Sequence, residues 1–263
     1  MVSSNRMRQV MTHIEYNNKY FSAIRQTMKE VLTASQEISH PFLNERERGH
    51  HTFMVIAGDK GMCGAYNANV LNYTLKRLNE TPGSSLITVG DKAEEFFRLR
   101  GIHPDITFLG LAQDPTLKRA REVAAHLTYI YEQELTDDIR IINTSFYSEA
   151  KGVPVELRLL PITLHSYDDI LDAEDITEIM FHPSPQTVFD MMVPQYAIAL
   201  IFGVMVKSYA SENHARMTAM FTATSNAQEI LDDLNIRHNL ARQTAITNEI
   251  AEITGAAESI RPG

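Results

Sequence analysis

The sequence predicts an α/β domain inserted between two long helices that pair as an antiparallel coiled coil. Residues 195–259 form a stretch without an internal proline, which is typical of one very long helix. Residues 7–38 carry apolar side chains at alternating steps of three and four, which is typical of a coiled-coil helix. Between them, short β-branched runs alternate with helical patterns over 52–163, which predicts parallel strands with crossover helices.

The first helix is predicted from Met7 onward and ends before Pro41, because proline cannot continue a helix. Eight of the ten positions on its heptad seam are apolar, and Asn17 interrupts the seam as a plausible register device. The alternative is an amphipathic helix lying on a globular core. The ten seam positions are Met7, Val10, Ile14, Asn17, Phe21, Ile24, Met28, Val31, Ser35 and Ile38.

The middle of the chain is predicted as a Rossmann-like α/β domain that closes with a hairpin. Its predicted strands are 52–58, 86–90, 106–111, 140–148 and 156–163, and its predicted helices are 65–78, 91–100 and 116–134. Asp91 is the expected cap of the second of these helices. The turn of the hairpin falls at Lys151 and Gly152, and the acidic residues between 168 and 178 predict a solvated connection.

The C-terminal helix is predicted to begin near Gln195, after Pro183, Pro185 and Pro194. Its first part, Ala197 to Val206, is apolar all round and is therefore expected to be buried. Beyond it the apolar stripe narrows, and the first helix is too short to cover it. Since an unpaired helix is marginal in water, this end is expected to sit inside a partner. The predicted domains are 1–48, 49–193 and 194–263.

Composition excludes several classes of function. Lys plus Arg number 12 against 21 Asp plus Glu over 49–206, so the chain lacks the basic face that a nucleic acid requires. Cys63 is the only cysteine, which excludes a disulfide framework and a cysteine-based zinc cluster. The first residues resemble neither a signal peptide nor a transit peptide. The apolar run from Tyr196 to Val206 is too short for a membrane span, so membrane association is expected only through partners.

A glycine-rich loop follows the first predicted strand, where ligands bind in many α/β proteins. Gly58, Gly61 and Gly64 match neither the dinucleotide nor the P-loop spacing, so tight-turn geometry is the favoured explanation and no cofactor is expected. Cys63 is either a nucleophile, with His126 or His165 as its base, or a small buried residue, which is favoured. The adjacent histidines at 50 and 51 lack a metal-ligand spacing, so no metal site is expected.

The C-terminal helix carries the residues by which the chain resembles the gamma subunit of F-type ATP synthases, a central rotor shaft. The matching positions are Ser211-Glu212, Ala215-Arg216-Met217, Ala219-Met220, Asn226-Ala227, Asn239, Arg242-Gln243, Ile246-Thr247 and Glu249. The loop Asp59-Lys60-Gly61-Met62-Cys63-Gly64 with Asn67 also resembles the family, as a structural motif, and so do residues 1–8. In the family about twenty residues precede the position of Met1, and His238 stands where a tyrosine is usual.

The resemblance implies a subunit without catalytic residues, metal or cofactor. It would turn inside alpha and beta subunits and would contact the epsilon subunit and the c-ring through its globular foot, peripherally at the cytoplasmic face of a bacterial inner membrane. The implied contacts with the alpha and beta subunits are Arg216, Arg242, Gln243, Thr247 and Glu252. Arg242 and Gln243 are expected to donate hydrogen bonds to a beta-subunit loop.

Two other functions fit the residues without the resemblance. One is a small α/β enzyme with helical dimerisation arms that uses Asp59, Lys60 and Cys63, and it predicts ligand binding by the isolated chain. The other is a coiled-coil adaptor unrelated to energy conversion. Co-purification of alpha and beta subunits separates both from the rotor hypothesis.

Overall fold

The computed structural model describes residues 2–35, 38–46, 49–144, 153–163 and 180–259, with the side chains of 10–256 within those ranges. The chain divides into two compact units, Met1–Met217 and Thr218–Gly263. The last helix contributes to both units.

Five helices and five strands are present among the described residues. The helices are α1 Val2–Ala34, α2 Tyr66–Glu80, α3 Asp91–Arg98, α4 Leu117–Glu132 and α5 Pro185–Ser259. The strands are β1 His51–Ile56, β2 Ser85–Val89, β3 Ile106–Phe108, β4 Asp138–Thr144 and β5 Pro154–Leu160. A 3-10 turn, Pro41–Leu43, follows α1.

The sheet has the strand order β3-β2-β1-β4-β5. Strands β1 to β4 pair in parallel, and β5 pairs antiparallel with β4. The predicted alternation of strands and crossover helices is therefore confirmed, and so is the antiparallel closing pair. The predicted turn at Lys151 and Gly152 and the acidic segment between 168 and 178 lie outside the described residues.

Both faces of the sheet are covered by helices. Alternate residues of each strand point to opposite sides, so each strand contributes to two cores. On β1, Phe53 and Val55 belong to a core with α2 and α3. Met54 and Ile56 belong to a larger core on the other side, where α1, α4 and the first part of α5 pack. The predicted burial of the apolar start of the C-terminal helix is confirmed.

An ion-pair network fastens the edge strand β5 to its neighbours. The carboxylate of Glu156 accepts from Arg77 of α2 and from Arg140 of β4, each at 2.7 Å. Asp138 accepts from Arg140 at 2.7 Å and from Arg158 at 2.8 Å. Because Glu156 and Asp138 are mostly buried, both depend on these guanidinium groups for compensation of their charge.

Helices α1 and α5 pair antiparallel within the unit Met1–Met217. Val10 and Ile14 pack with Val206 and Ala210, whereas later in α1 the amide of Asn17 donates to the Ala199 carbonyl at 3.1 Å. The predicted pairing and the buried position of Asn17 are thus confirmed. The helix ends earlier than predicted, at Ala34, so Ser35 lies beyond the helical seam.

Helix α5 begins at Pro185, ten positions before the predicted start, so this prediction was wrong. The hydroxyl of Ser184 accepts from the Thr187 backbone N–H at 3.2 Å, and proline at the first helical position loses no hydrogen bond. Pro194 lies inside the helix. Burial of Phe189 and Val193 on the sheet offsets the bond that Pro194 cannot make. The division into domains 1–48, 49–193 and 194–263 stays a prediction.

The membrane prediction needs one correction. An 18-residue window within Pro185–Ala256 is long and apolar enough to cross a membrane, contrary to the sequence argument. Half of that window is buried inside the protein, as in the core helix of a soluble domain. Packing inside the protein therefore accounts for the buried half of that window.

Candidate functional site

The loop after β1 is built around the side-chain amide of Asn67, at the start of α2. Its oxygen accepts from the Gly58 backbone N–H at 2.8 Å. Its nitrogen donates to the Lys60 carbonyl at 3.2 Å and to the Cys63 sulfur at 3.3 Å. One side-chain amide therefore holds both ends and the middle of the loop, and this structural role explains why Asn67 belongs to the loop motif.

Helix α5 closes over this loop through Glu212 and Arg216. Glu212 is 3% exposed, and a Cβ added to Gly58 would lie 2.7 Å from its carboxyl carbon. Arg216 forms an ion pair with Glu212 and reaches the Gly61 carbonyl at 3.4 Å. A side chain at position 58 would therefore displace the Glu212 carboxylate, so the close approach of α5 favours glycine there.

Different features of the structure explain why glycine occurs at positions 58 and 64 of the loop. Gly64 adopts a left-handed φ of 56°, so tight-turn geometry explains it. A Cβ on Gly61 would meet nothing within 4 Å, and the close approach of Glu212 rather than a turn explains Gly58. Met62 is also left-handed, at φ 60°, and its side chain is 74% exposed. Only one of the three predicted turn glycines is therefore explained by its own backbone.

Two acidic side chains are buried beside this loop. Burial raises the pKa of Glu212, the ion pair with Arg216 opposes that shift, and the negative charge of Asp59 adds to it. Asp59 is 6% exposed, and one of its oxygens accepts from the Asp91 backbone N–H at 3.0 Å. Its other oxygen has no hydrogen-bond partner among the residues that the structure describes. The exposed Lys60 is the further cation that lowers the pKa of Glu212.

The predicted cap of α3 was wrong. Asp91 is the first residue of that helix, its cap position is Gly90 with φ 96°, and Asp59 supplies the accepting carboxylate from the loop. A side chain at Gly90 would overlap the Ala57 carbonyl. The sequence hid this arrangement because the capping group comes from another part of the chain.

Cys63 has the surroundings of a structural cysteine. It is 2% exposed, its thiol donates to the Lys60 carbonyl at 3.9 Å, and burial raises its pKa. A raised pKa lowers the fraction of reactive thiolate. His126 lies beside the ring of Phe108, and His165 lies outside the described residues. Within the described ranges, no cluster of three or more metal-ligating side chains occurs.

The unit Thr218–Gly263 presents a second candidate surface, on α5. All described side chains from 220 to 256 are exposed. Its exposed large apolar side chains are Met220, Phe221, Ile230, Leu231, Leu234, Ile236, Leu240, Ile246, Ile250 and Ile253. A solvent-exposed helix with so many apolar side chains lacks the burial that stabilises helices in proteins.

The other predicted contact residues belong to this surface. Arg242, Gln243, Thr247 and Glu252 are all exposed, and the Thr247 hydroxyl donates to the Gln243 carbonyl at 2.8 Å. At about 100° per residue, Gln243 and Thr247 share one side of the helix, Glu252 lies opposite Gln243, and Arg242 lies between Gln243 and Glu252. The side chains of Arg242 and Glu252 form no ion pair with any described residue.

Comparison with known proteins assigns the family. The family model described as ATP synthase matches residues 1–260. The ATP synthase gamma chain of Heliobacterium modesticaldum is 34% identical over 264 residues, covering 99% of this chain and 91% of the relative. The chain belongs to the ATP synthase gamma chain family. The gamma chain of Alkaliphilus metalliredigens is 32% identical with the same coverage.

Chains in solved ATP synthase structures share this fold. A chain of the Tetrahymena thermophila mitochondrial ATP synthase central stalk and c-ring aligns with a TM-score of 0.63 at 18% identity, covering 85% of this chain and 96% of that one. A chain of the Euglena gracilis mitochondrial ATP synthase aligns with a TM-score of 0.58 at 15% identity, covering 98% and 93%. The family resemblance inferred from the motifs is confirmed.

The structure separates the residues of the gamma chain signature into two places. Arg216 lies in the unit Met1–Met217, where it is held by Glu212 and the loop after β1. Arg242, Gln243 and Thr247 lie in the other unit and are exposed. Sequence reasoning included Glu212 in the signature but missed its contact with Gly58, since no local pattern connects a strand end with a distant helix.

Proposed function

We propose that this chain is the central-stalk rotor subunit of a bacterial F-type ATP synthase. In this role it couples ion-driven rotation of the c-ring to conformational changes at the catalytic sites of the beta subunits. The observation that carries the proposal is the exposed apolar surface of residues 220–256 in a member of the gamma chain family. Such a helix is stabilised when a surrounding partner buries its apolar side chains.

The proposed mechanism needs no catalytic residue, cofactor or metal in this chain. Each beta subunit meets a different side of the helix as it turns, and only contacts that differ between states shift a conformational equilibrium. Gln243 and Glu252 lie on opposite sides of α5, because nine residues at about 100° each leave them half a turn apart. Rotation therefore changes which charges a given beta subunit faces.

The proposed contacts with the alpha and beta subunits are Arg216, Arg242, Gln243, Thr247 and Glu252. Arg242 and Gln243 would donate hydrogen bonds to carboxylates or carbonyls of a beta-subunit loop, which suits the fixed fork of a guanidinium. Arg216 brings less free surface to a partner, because its side chain is only 27% exposed.

The unit Met1–Met217 is proposed as the foot that contacts the epsilon subunit and the c-ring. The complex would place the chain peripherally on the cytoplasmic face of the inner membrane, with membrane association only through its partners. The whole chain has a formal net charge of −9, and this acidic charge supports protein partners rather than a nucleic acid.

Reconstitution of the full chain with alpha, beta and epsilon subunits and the membrane sector tests this proposal. We expect the alpha and beta subunits to co-purify with the chain, and the double variant Arg242→Ala with Gln243→Ala to reduce ATP synthesis. The matched control is Arg237→Ala with Gln228→Ala, which removes the same residue types from exposed positions of the same helix. Failure of co-purification refutes the rotor role, whereas unchanged synthesis by the first pair refutes the contact assignment.

A further inference from the structure

We propose that Glu212 is a positioning residue that locks α5 to the loop after β1, so that the helix and the sheet turn together under load. The lock consists of Glu212 and Arg216 on α5 with Gly58 and Gly61 on the loop. The inference rests on the proposed rotor function and adds a place where torque passes between the helix and the foot.

The loop side of the lock is a fixed anchor. Gly58 follows β1 by two positions, its N–H donates to Asn67 of α2 at 2.8 Å, and its carbonyl accepts from the Lys92 N–H of α3 at 3.2 Å. One glycine is therefore joined to two helices and lies just after the central strand. A force on this glycine is distributed over the sheet and both crossover helices.

The helix side of the lock grips this anchor at two points. Glu212 packs directly against Gly58, and Arg216, one turn later, reaches the Gly61 carbonyl while it neutralises Glu212. Side chains one turn apart on α5 thus hold two positions of one loop. Both contacts lie off the helix axis, so both oppose rotation of the helix about that axis, and their separation along the axis also opposes tilting.

The lock is charged although burial opposes the charge. Burial raises the pKa of Glu212, and a buried ion pair is often no more stabilising than an apolar pair of the same size. What the ion pair adds is a directional contact, because a hydrogen bond depends on the angle between its groups whereas the hydrophobic effect does not. The larger core around α5, with Val193, Ile201 and Met205, is apolar.

The position of the lock along α5 fits a mechanical role. Arg216 immediately precedes Met217, the last residue of the unit Met1–Met217. Two other side-chain hydrogen bonds between α5 and the sheet or its helices come earlier in the chain, from Tyr66 to the Ser208 carbonyl at 3.1 Å and from Ser211 to the Thr144 carbonyl at 3.2 Å. Torque that enters along α5 from beyond Met217 is therefore met first by the lock.

The test compares ATP hydrolysis with ATP-driven ion transport in the reconstituted full complex. Glu212→Ala removes the carboxylate, and Gly58→Ala pushes it away, so both variants are expected to keep hydrolysis while transport per ATP falls several-fold. Glu212→Gln keeps the shape and one acceptor for Arg216, so it is expected to restore most of the transport. Glu15→Ala is the control, because it removes a carboxylate from an exposed ion pair with Lys19 on α1, outside the lock, and it should transport normally.

The variant Val204→Ala tests whether destabilisation alone could cause the loss of ion transport. It leaves a cavity beneath α5 without touching the lock. If that variant loses transport as much as Glu212→Ala at equal loss of stability, the lock is overturned. Normal transport by Glu212→Ala in assembled complexes overturns it as well and leaves the rotor role standing. A wild-type complex that hydrolyses ATP without transport refutes the proposed function itself.

Discussion

Replacing Gly203 by alanine tests how closely α1 and α5 approach each other. A Cβ at this position would lie 2.5 Å from the amide nitrogen of Asn17, which is buried and donates to the Ala199 carbonyl. In an isolated helix the same change is favourable by about 1 kcal/mol. Whether Gly203→Ala lowers or raises the free energy of unfolding therefore depends on whether the side chain of Asn17 is present.

The expected magnitudes follow from these two opposing effects. Crowding in a packed interface costs about 1–3 kcal/mol, so Gly203→Ala alone should lower the free energy of unfolding by about 1 kcal/mol. Asn17→Ala alone should lower it by about 1 kcal/mol through its lost hydrogen bond. In the Asn17→Ala background the crowding is gone, and Gly203→Ala should then raise the free energy of unfolding by about 1 kcal/mol.

Urea unfolding of the full chain, followed by the near-ultraviolet circular dichroism of tyrosine, measures this cycle. The chain has ten tyrosines and no tryptophan, and the buried Tyr66, Tyr131 and Tyr196 lie in the same unit as Gly203. Gly255→Ala is the control without a contact, because its Cβ meets nothing within 4 Å. If Gly203→Ala has the same effect with and without Asn17, within about 0.5 kcal/mol, the proposed contact is refuted.

Three further outcomes are expected. Glu156→Gln should cost about 1–3 kcal/mol in urea unfolding. Burial acts to raise the pKa of Glu156, but hydrogen bonds from Arg77 and Arg140 outweigh burial and lower that pKa. The stabilisation by Glu156 is therefore present above about pH 4.5 and is lost as the pH falls through the lowered pKa. The pH profile of the Glu156→Gln variant should lack this contribution. Iodoacetamide should alkylate Cys63 slowly in the native chain and quickly in urea, because burial raises the thiol pKa. Met28→Ala should cost about 2–5 kcal/mol, since its side chain is fully buried against the sheet.

Most of the fold could be predicted because its elements carry strong local patterns. The run from Phe53 to Ile56 is buried on both faces of the sheet, and such a strand is continuously apolar in sequence. The seam of α1 repeats as expected for a helix packed along one side, and its buried members Val10, Ile14 and Met28 follow that repeat. Patterns of this kind depend only on neighbouring residues, so one sequence is enough to read them.

The start of α5 could not be predicted because tertiary packing overrides a local signal. Pro194 indicates a helix boundary, but the buried Phe189 and Val193 keep the helix on the sheet on the near side of it. The true start, Ser184 followed by Pro185, does carry a capping signal. In the sequence, Pro183, Pro185 and Pro194 together conceal that signal, because closely spaced prolines are typical of a connection.

The candidate site was predicted in part, and the missing part is the contact between distant residues. Arg216 and Glu212 stand together in the signature, yet nothing in the sequence shows that the partner of Glu212 is the backbone of Gly58. The sequence predicts a turn glycine at position 58 because Gly58 belongs to the same glycine-rich loop as Gly64, which is a turn glycine. Only the packing of α5 across the end of β1 reveals that the missing side chain makes room for a carboxylate.

The two parts of the signature carry their polar groups in opposite physical settings, and this difference bears on function. Glu212 is buried, so it must be neutralised within the chain, and Arg216 does this at the loop. Arg242 and Gln243 are exposed among isoleucines, where they add nothing to packing in the unit Thr218–Gly263. Polar groups that a helix does not need for its own stability are free to face a partner. The same signature thus supports a joint inside the chain at one end and a recognition surface at the other.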